Sequence, residues 1–508
     1  MALTQDHVVS SALAPPGAAR VRFVAILLGV AAATVSVVGS WIPSFWGDEA
    51  ASVLSANRSL PSLFAMLGHV DAVHGTYYLG LHFWAAVFGS SPFSVRFPSA
   101  LAIGACVAGV VLLCTKLDSL KLGVVAGVIC AVLPRVTGMG DEARSYAFTA
   151  AIATWFTVLF IAMLQRERPS RRQWIAYGVV LAVGTYVFLY LALIAAAHAA
   201  ILALSSRTRP LLRPWVRTVL IVMVTVSPLI IAGVFERGQI AFLADRTTAD
   251  FYSLAVTLWF GTPAFAVLSW AAIVAALGFL IKDLQSRRRA GLSNDGLPLS
   301  PVVVAAAWLV VPSVLLIGSH FIVPDFTARY LSMCAPAAAV LMAIGVLGIV
   351  QRKTIPLILI CAAIVAAALP GWLQQRSPYA KNNSDWAVIS SEIGSRAHAG
   401  DAVAFDDSTR PSRRTRLAMR TYPAGFRGLD DVTLKTPYFA DATWHDSTYS
   451  IAAAKTLGRM SGVKTIWLVE YATPTHTDTA GTAELRALGF TQVLGIHTHR
   501  SVILRFVR

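Results

Sequence analysis

Charged residues are scarce in this chain of 508 residues, of which Asp, Glu, Lys and Arg together make up 13%. A soluble domain carries about 25% charged residues, so the composition excludes an ordinary soluble protein. Hydrophobic residues make up 56%, and many windows reach the roughly 20 apolar residues that cross a bilayer as a helix. The sequence also lacks the alternating ten-residue segments of a membrane barrel. We therefore expect an all-α polytopic membrane protein.

Acidic residues are less frequent than basic residues, with 26 against 42, and the net charge is +16. Such an excess can indicate nucleic-acid binding. Here most of it lies in short loops between apolar runs, where it sets membrane orientation, so we expect no nucleic-acid partner. The five cysteines lie in apolar runs and show neither metal-ligand spacing nor a disulfide framework. They are Cys106, Cys114, Cys130, Cys334 and Cys361.

The apolar runs predict about eleven membrane spans, with a cytoplasmic N-terminus and an extracytoplasmic C-terminus. Residues 1–20 are expected to be disordered, and residues 21–371 to form the membrane domain. The run 21–42 is expected to be a retained span rather than a cleaved signal peptide, because it continues beyond its small-residue site. The later spans are predicted at 93–115, 122–136, 146–164, 174–188, 189–204, 216–234, 256–281, 302–319, 330–350 and 355–369.

Two polar regions are expected to lie outside the membrane. Residues 41–92 form the first outer loop, in which the aromatic segment 77–84 predicts an amphipathic interfacial helix. Residues 372–508 predict a small extracytoplasmic α/β domain that assists acceptor capture rather than chemistry. Strand-like runs occur at 402–405, 465–469 and 501–504, and the segment 484–490 predicts a helix that ends at a glycine.

Two acidic clusters occur at the ends of predicted spans, namely Asp48-Glu49 and Asp141-Glu142. Carboxylates at the mouth of a span are costly to place near lipid, so their default interpretation is functional. Ordinary solvated loop charge is the alternative for either cluster alone. The distribution of Lys and Arg places both clusters on the outer face, and this pairing favours the functional interpretation.

The outer loops contain the groups that transfer of a sugar from a lipid phosphate requires. A carboxylate accepts the proton of the acceptor hydroxyl, and cations stabilise the departing phosphate. Asp48 is the candidate base, and Arg144, Arg329 and Arg96 are candidate phosphate ligands. Structural alternatives remain for two of them: Arg144 as an ion-pair partner of the second acidic cluster, and Arg329 as a snorkelling span-end residue.

Several basic side chains carry a second interpretation. His74 either orients a sugar or phosphate or caps local structure, and His69 is expected to be structural. The run of arginines between Arg410 and Arg420 is expected to be a solvated or headgroup-contacting face, with an anionic acceptor site as the alternative. A divalent cation is possible at the acidic clusters, although no tight ligand spacing supports it and no cofactor is firmly implied.

Four segments occur in a specific order: Trp46-Gly47-Asp48-Glu49-Ala50, residues 74–78 ahead of a Leu-His-Phe-Trp run, residues 96–101 and residues 141–147. Together with Arg329-Tyr330 at a late span, they resemble bacterial membrane glycosyltransferases of the GT-C superfamily. The most similar group is related to the dolichyl-phosphate-mannose protein mannosyltransferases (glycosyltransferase family 39-like). The four segments cover about the N-terminal third of the chain.

This resemblance implies a GT-C-like fold, a polyprenyl-phosphate sugar donor, inverting transfer and Asp48 as the catalytic base. The chain departs from the usual pattern at Gly75-Thr76, where relatives have Pro-Pro, and at Asp141, where they have Gln. Both departures bear on the acceptor or the sugar. The residues implied to contact donor or acceptor are Glu49, His74, Tyr78, Arg96, Asp141, Glu142, Arg144, Arg329 and Tyr330.

The sequence leaves the sugar and the acceptor open. Mannose transfer to a cell-envelope glycolipid or polysaccharide, such as a lipomannan-type lipoglycan at the plasma membrane, is the first hypothesis. A polyprenyl-phosphate-arabinose or other pentosyl transferase is the alternative within the class. A lipid-linked sugar transporter or flippase would place ionisable groups near the midplane or show internal repeats, neither of which is visible. A non-catalytic assembly protein would leave the adjacent acids unexplained.

Overall fold

The structure is a computed structural model that describes residues 17–166, 168–243, 250–289, 299–322, 326–351, 353–473, 476–477 and 480–508. Most of the predicted N-terminal disorder lies outside these residues, but α1 begins at Ala18, inside the predicted disordered segment. The helices up to residue 375 are α1 (Ala18–Val37), α2 (Gly47–Ala56), α3 (Leu60–Leu67), α4 (Gly75–Phe88), α5 (Pro92–Leu117), α6 (Leu120–Val132), α7 (Pro134–Gly140), α8 (Tyr146–Leu164), α9 (Arg171–Val187), α10 (Ala192–Leu204), α11 (Leu212–Phe235), α12 (Pro263–Arg289), α13 (Pro301–His320), α14 (Ala335–Ile349) and α15 (Thr354–Gln375).

Eight helices among the described residues are long and apolar enough to cross a membrane, or up to nine if the bent pair α6–α7 is one span. Each predicted span has a helix at its place, so the polytopic all-α prediction is confirmed. The predicted number of eleven is higher because α9 and α10 have only 17 and 13 residues. The pair α6–α7 bends by 63° at Pro134, whose ring cannot continue the hydrogen bonds of the preceding helix.

Helices α1 and α5 cross at very short distance because glycines face each other. A Cβ atom on Gly29 would lie 2.8 Å from the carbonyl oxygen of Gly104, and a Cβ atom on Gly104 would lie 2.7 Å from that of Gly29. Such small residues let helix backbones approach in a membrane, where van der Waals packing replaces the hydrophobic effect between helices. The first span is thereby fixed against α5, and the loop that follows it starts from a defined position.

The first outer loop is folded rather than extended. It contains α2, α3, a 3-10 turn at Ala72–His74 and α4. The first acidic cluster lies in the first turn of α2, where the exposed N–H groups of a helix favour negative charge. The predicted aromatic helix is present as α4, longer than predicted at both ends.

The C-terminal domain is α/β, as predicted, and its main sheet has the strand order β2-β1-β5-β8-β7. Strand β1 runs parallel to β2 and β5, whereas β5, β8 and β7 are antiparallel. The predicted helix ends near Gly489, whose φ is +87°. The elements are α16 (Trp386–Gly394), β1 (Ala402–Phe405), α17 (Leu417–Thr421), β2 (Asp430–Asp431), β3 (Leu434–Thr436), β4 (Ser447–Thr448), α18 (Ile451–Thr456), β5 (Thr465–Thr473), β6 (His476–Thr477), α19 (Ala480–Ala487), β7 (Thr491–His497) and β8 (Ser501–Val507).

The C-terminal domain and the first outer loop share one apolar core. Phe45 from the loop is fully buried in the same cluster as Trp386 and Trp467 from the domain. The backbone N–H of Phe45 also donates a hydrogen bond of 2.8 Å to the Tyr422 hydroxyl. Because burial of large aromatic side chains contributes much of a core's stability, the domain is fixed on the loop that carries the first acidic cluster.

Candidate active site

A cavity of ≈ 870 Å³ lies where the first outer loop, the segment 142–146, the start of the span at 329–330 and the C-terminal domain meet. Both acidic clusters contribute to its wall or to the structure directly behind it. Its lining includes acids, arginines and aromatic side chains, as expected for a polar substrate. The lining residues used below are Trp46, Asp48, Asp71, His74, Glu142, Arg144, Arg329, Tyr330, Lys381, Arg410, Arg413 and Trp444.

Asp48 faces the cavity and forms an ion pair with Arg329. Its side chain is 26% exposed, so the carboxylate is accessible to a bound molecule. Burial favours the neutral acid, but the Arg329 guanidinium, followed by Arg144, holds the pKa of Asp48 below its usual value. Arg329 also lies over the Trp46 ring, 5.0 Å from its centroid. It is therefore an ion-pair partner in the cavity rather than a snorkelling residue.

Arg144 connects several parts of the cavity wall. It donates hydrogen bonds to the Asp48 carbonyl (3.4 Å), to Ser52 Oγ (3.3 Å) and to the Tyr78 hydroxyl (3.4 Å). Its other terminal nitrogen lies 3.0 Å from Nε2 of His74. It therefore pairs with the first outer loop, and not with the second acidic cluster as the structural alternative proposed.

His74 and Tyr78 lie close to Asp71, a further carboxyl group of the first outer loop. The Tyr78 hydroxyl donates a 2.9 Å hydrogen bond to Asp71. Burial, reinforced by the neighbouring Arg144, lowers the pKa of His74 well below its usual value. Burial raises the pKa of Asp71, although Arg144 opposes this shift. His74 is therefore neutral and accepts a hydrogen bond from Arg144 through Nε2.

Glu49 and Arg96 form a fully buried ion pair, and both side chains are 0% exposed. The guanidinium donates two parallel hydrogen bonds of 2.7 and 2.6 Å to the carboxylate, and the Ala143 N–H donates a third at 2.9 Å. Neither residue lines the cavity. The structure thus places them behind the wall, where they join α2, α5 and the second acidic cluster, rather than in contact with donor or acceptor.

The two acids of the second cluster have different surroundings. Asp141 is fully buried and pairs with Lys381 and, at 3.5 Å, with Arg376, so it joins the membrane domain to the C-terminal domain instead of facing substrate. Glu142 lines the cavity, and its buried Oε1 has no hydrogen-bond partner among the described residues. Burial raises the pKa of Glu142, although Lys381 and Arg329 oppose the shift.

The cavity lining also contains residues that were not among the predicted site residues, including Asp71, Lys381, Arg410, Arg413 and Trp444. Asp71 lies in the first outer loop, but no motif distinguishes it; its left-handed backbone, with φ of 60°, becomes visible only in the structure. The other four come from the C-terminal part and reach the cavity by domain docking. His69, which was expected to be structural, does not line this cavity, and its Nδ1 lies 2.9 Å from the Ala65 carbonyl oxygen.

The arrangement of the described side chains can be compared with the requirements of a metal site, because a divalent cation was possible at the acidic clusters. Across the residues that the structure describes, no group of three or more His, Cys, Asp and Glu side chains is arranged to hold a metal ion.

Comparison with known proteins finds one family model and several solved structures that are similar to this chain. Residues 76–231 match the family model described as dolichyl-phosphate-mannose-protein mannosyltransferase. No curated protein sequence matches significantly.

ArnT from Cupriavidus metallidurans bound to undecaprenyl phosphate is 12% identical, with 94% of this chain and 97% of that chain covered and a TM-score of 0.57. The same protein in the apo state gives a TM-score of 0.57 at 11% identity, with the same coverage. AglB from Archaeoglobus fulgidus, in complex with an inhibitory peptide and a dolichol-phosphate, is 11% identical; 91% of this chain and 74% of that chain are covered, with a TM-score of 0.48.

These findings define a multi-pass membrane protein with the GT-C fold. The resemblance of its N-terminal part to the dolichyl-phosphate-mannose-protein mannosyltransferase type is confirmed by the family model.

Proposed function

We propose that this protein is an inverting glycosyltransferase that moves a sugar from a polyprenyl-phosphate donor to a hydroxyl of a cell-envelope glycolipid or polysaccharide. One observation carries the proposal: an accessible carboxylate, Asp48, shares a polar cavity with Arg329 and Arg144. A base and cations next to each other are what this reaction requires. The match to a mannosyltransferase family model supports mannose as the sugar, and a pentose remains the alternative.

In the proposed reaction, Asp48 accepts the proton of the acceptor hydroxyl. The hydroxyl oxygen forms a bond to the anomeric carbon on the face opposite the phosphate, while the bond between that carbon and the phosphate oxygen breaks. The electron pair stays with the polyprenyl phosphate, and the Arg329 and Arg144 guanidinium groups stabilise its increased negative charge. Attack from the opposite face inverts the anomeric carbon in a single displacement.

A second, smaller cavity next to the main one is the proposed entrance for the lipid part of the donor. This cavity of ≈ 120 Å³ shares Asp71, His74, Gln239 and Tyr330 with the main one. Its other lining residues include Phe188, which directly follows α9, and Gly233 of α11, together with Glu236 and Arg237. It therefore borders the ends of two apolar helices. The similar ArnT structure contains undecaprenyl phosphate, which supports a polyprenyl phosphate as the lipid in this chain.

A flippase or transporter is less well supported. Such proteins place their substrate sites near the bilayer midplane, often at broken helices. Here the polar cavity lies at helix ends and under the C-terminal domain. Its residues form a base-and-cation arrangement, which transport of an unchanged lipid does not require. We place the cavity on the outer face of the membrane, from the positive-inside pattern.

The test is a transfer assay with purified full-length protein and radiolabelled polyprenyl-phosphate mannose, arabinose and other sugars. The expected result is transfer from one donor with inversion, and its loss in Asp48→Asn. The Arg427→Gln variant is the matched control, since Arg427 is exposed and does not line the cavity. Wild-type protein that binds no polyprenyl phosphate, or near-normal transfer by Asp48→Asn, would contradict the proposal.

A further inference from the structure

The arginine run of the C-terminal domain divides into two groups that the sequence does not distinguish. Arg414, Arg416 and Arg420 are paired with acids of their own domain. Among the described residues, no carboxylate lies within ion-pair distance of Arg410 or Arg413, and these are the members of the run that line the cavity. The pairs of the first group are Arg414–Asp407 at 3.8 Å, Arg416–Asp407 at 3.7 Å, Arg416–Asp431 and Arg420–Asp446 at 2.7 Å.

The segment that carries these two arginines is held firmly against the proposed base. It forms a 3-10 turn at Pro411–Arg413, and a Cβ atom on Gly47 would lie only 2.4 Å from the carbonyl oxygen of Ser412. Gly47 directly precedes Asp48. Arg413 also donates a 3.4 Å hydrogen bond to the Tyr471 hydroxyl. Docking therefore brings Arg410 and Arg413 into the cavity in which the acceptor hydroxyl must lie.

The number of cations exceeds what the donor needs. The phosphate of a polyprenyl-phosphate sugar is a diester with one negative charge, and Arg144 and Arg329 are already present for it. Among the other charged groups of the cavity lining, Lys381 pairs with Asp141, and the described carboxyl groups of Asp48, Asp71 and Glu142 lie beyond ion-pair distance of Arg410 and Arg413. Guanidinium groups that share a cavity repel each other unless an anion lies between them, and planar guanidinium groups bind phosphate or carboxylate by paired hydrogen bonds. The second pair therefore fits a second anion.

We propose that Arg410 and Arg413 form an anion subsite for the acceptor, so that the acceptor is a glycan or glycolipid with a phosphate or carboxylate near its reacting hydroxyl. This inference rests on the proposed glycosyltransferase function. Trp444 lines the same cavity and provides a flat apolar surface for a sugar ring. The sequence left two interpretations of the arginine run open. A solvated or headgroup-contacting face does not account for the position of these two side chains inside the cavity, whereas an anionic acceptor site does.

Binding to the purified full chain in neutral-lipid nanodiscs tests the inference. Undecaprenyl phosphate is added first to saturation, so that the cations of the donor site are occupied. Three alkyl sugars are then titrated by calorimetry: octyl glucoside, octyl glucuronide and octyl glucoside 6-phosphate. We expect the anionic probes to bind about tenfold more tightly than the neutral one, or better, from one charge-assisted pair. The stronger of the two anionic probes identifies carboxylate or phosphate as the group.

The double variant Arg410→Gln/Arg413→Gln is expected to lose this preference, and the exposed control Arg427→Gln to retain it. Equal binding of all three probes by the wild type would overturn the inference, as would a preference that survives in the double variant. The inference would also be overturned if the double variant bound the three probes like the wild type and differed only in its binding to vesicles that contain anionic lipid. That result would indicate a surface for lipid headgroups. Binding of undecaprenyl phosphate is measured first and tests the proposed function separately. If undecaprenyl phosphate does not bind, the proposed donor is contradicted. If it binds but the protein shows no preference for anionic probes, only the proposed class of acceptor is contradicted.

Discussion

Asp48 and Arg329 form an ion pair in the cavity although 281 positions separate them in the sequence. The pair keeps the carboxylate ionised, but an acid with a lowered pKa is also a weaker base. An incoming donor phosphate competes for the same guanidinium. We infer that donor binding draws Arg329 towards the phosphate and thereby makes Asp48 more basic when a sugar is available for transfer.

Asp48→Asn is expected to lower turnover by about 10²–10⁴-fold, the usual contribution of a general base. Asparagine retains the shape of the side chain but does not accept the proton. Donor binding should be retained or become tighter, because Arg329 no longer pairs with a carboxylate. Turnover and undecaprenyl phosphate binding measured on the same preparation check both statements, and a parallel loss of donor binding would indicate a structural role.

Removal of Arg329 is expected to shift the pH dependence of transfer. The kcat/KM of the wild type is expected to fall on the acid side as Asp48 becomes protonated. In Arg329→Gln the burial that raises the pKa of Asp48 is opposed by Arg144 without the help of Arg329, so this acid limb should move to higher pH. Arg329→Lys, which retains the charge, should keep the limb near its original position.

The control for this prediction concerns the second carboxyl group that faces Arg329. Glu142 also lines the cavity and has a raised pKa, so its titration could contribute to the same limb. Profiles of Glu142→Gln and Glu142→Gln/Arg329→Gln separate the two groups. If Glu142→Gln and Glu142→Gln/Arg329→Gln show the same acid limb, the limb does not report the titration of Asp48, and its assignment to Asp48 is contradicted.

The Glu49–Arg96 pair is expected to act through stability. Removing one member leaves a buried charge without its partner, at a cost of about 3–5 kcal/mol. Glu49→Gln and Arg96→Met should therefore each lower the Tm of the detergent-solubilised protein strongly, and the double variant should recover part of the loss. The exposed pair Arg287–Asp283, 46% and 50% exposed, is the control. Full stability with strongly reduced turnover in Glu49→Gln would instead indicate contact with substrate.

Sequence reasoning reached the fold and the centre of the site because their signals are local. Runs of apolar residues identify helices without knowledge of packing, and adjacent acids at a span end identify Asp48. Ordered motifs also brought in Arg144, which does lie in the cavity. The same motifs could not separate residues that face the cavity from residues behind it: Asp48 and Glu49 are neighbours in one helical turn, yet only the first is accessible.

The sequence predicts that the C-terminal domain assists acceptor capture, but it could not identify the residues that reach the cavity, because their positions depend on docking. Lys381 belongs to no local pattern, and the arginine run does not reveal that Arg410 and Arg413 are the members that line the cavity. These side chains reach the cavity through the core shared with the first outer loop. Sequence reasoning also treats this domain as separable, so that truncation near Trp372 should spare donor binding. The structure predicts the opposite, since truncation would expose Phe45 and leave the buried Asp141 without its cations.

The orientation of the chain is a further prediction. A reporter that is active only outside the cytoplasm should be active when fused after Arg508 and inactive when fused after Lys121, since the loop with Lys116 and Lys121 is expected to be cytoplasmic. A reporter that is active only in the cytoplasm should give the opposite result. Cytoplasmic activity after Arg508 would place the cavity on the inner face and contradict the proposed cell-envelope acceptor.

Gly47→Ala tests whether the C-terminal domain must approach the base closely. In α2 itself alanine is the better helix former, so the local effect of the change is favourable. The new Cβ atom, however, would lie 2.4 Å from the Ser412 carbonyl oxygen and 2.5 Å from its Cβ atom, and the turn with Arg410 and Arg413 must move away. A displacement of this size can cost about 10²-fold in turnover when it misplaces a reactant. Donor binding should be retained.

Gly80→Ala in α4 is the matched control, because a Cβ atom there meets no other atom within 4 Å, and it should show normal turnover. Normal turnover in a folded Gly47→Ala variant would show that the C-terminal domain has no part in positioning the acceptor.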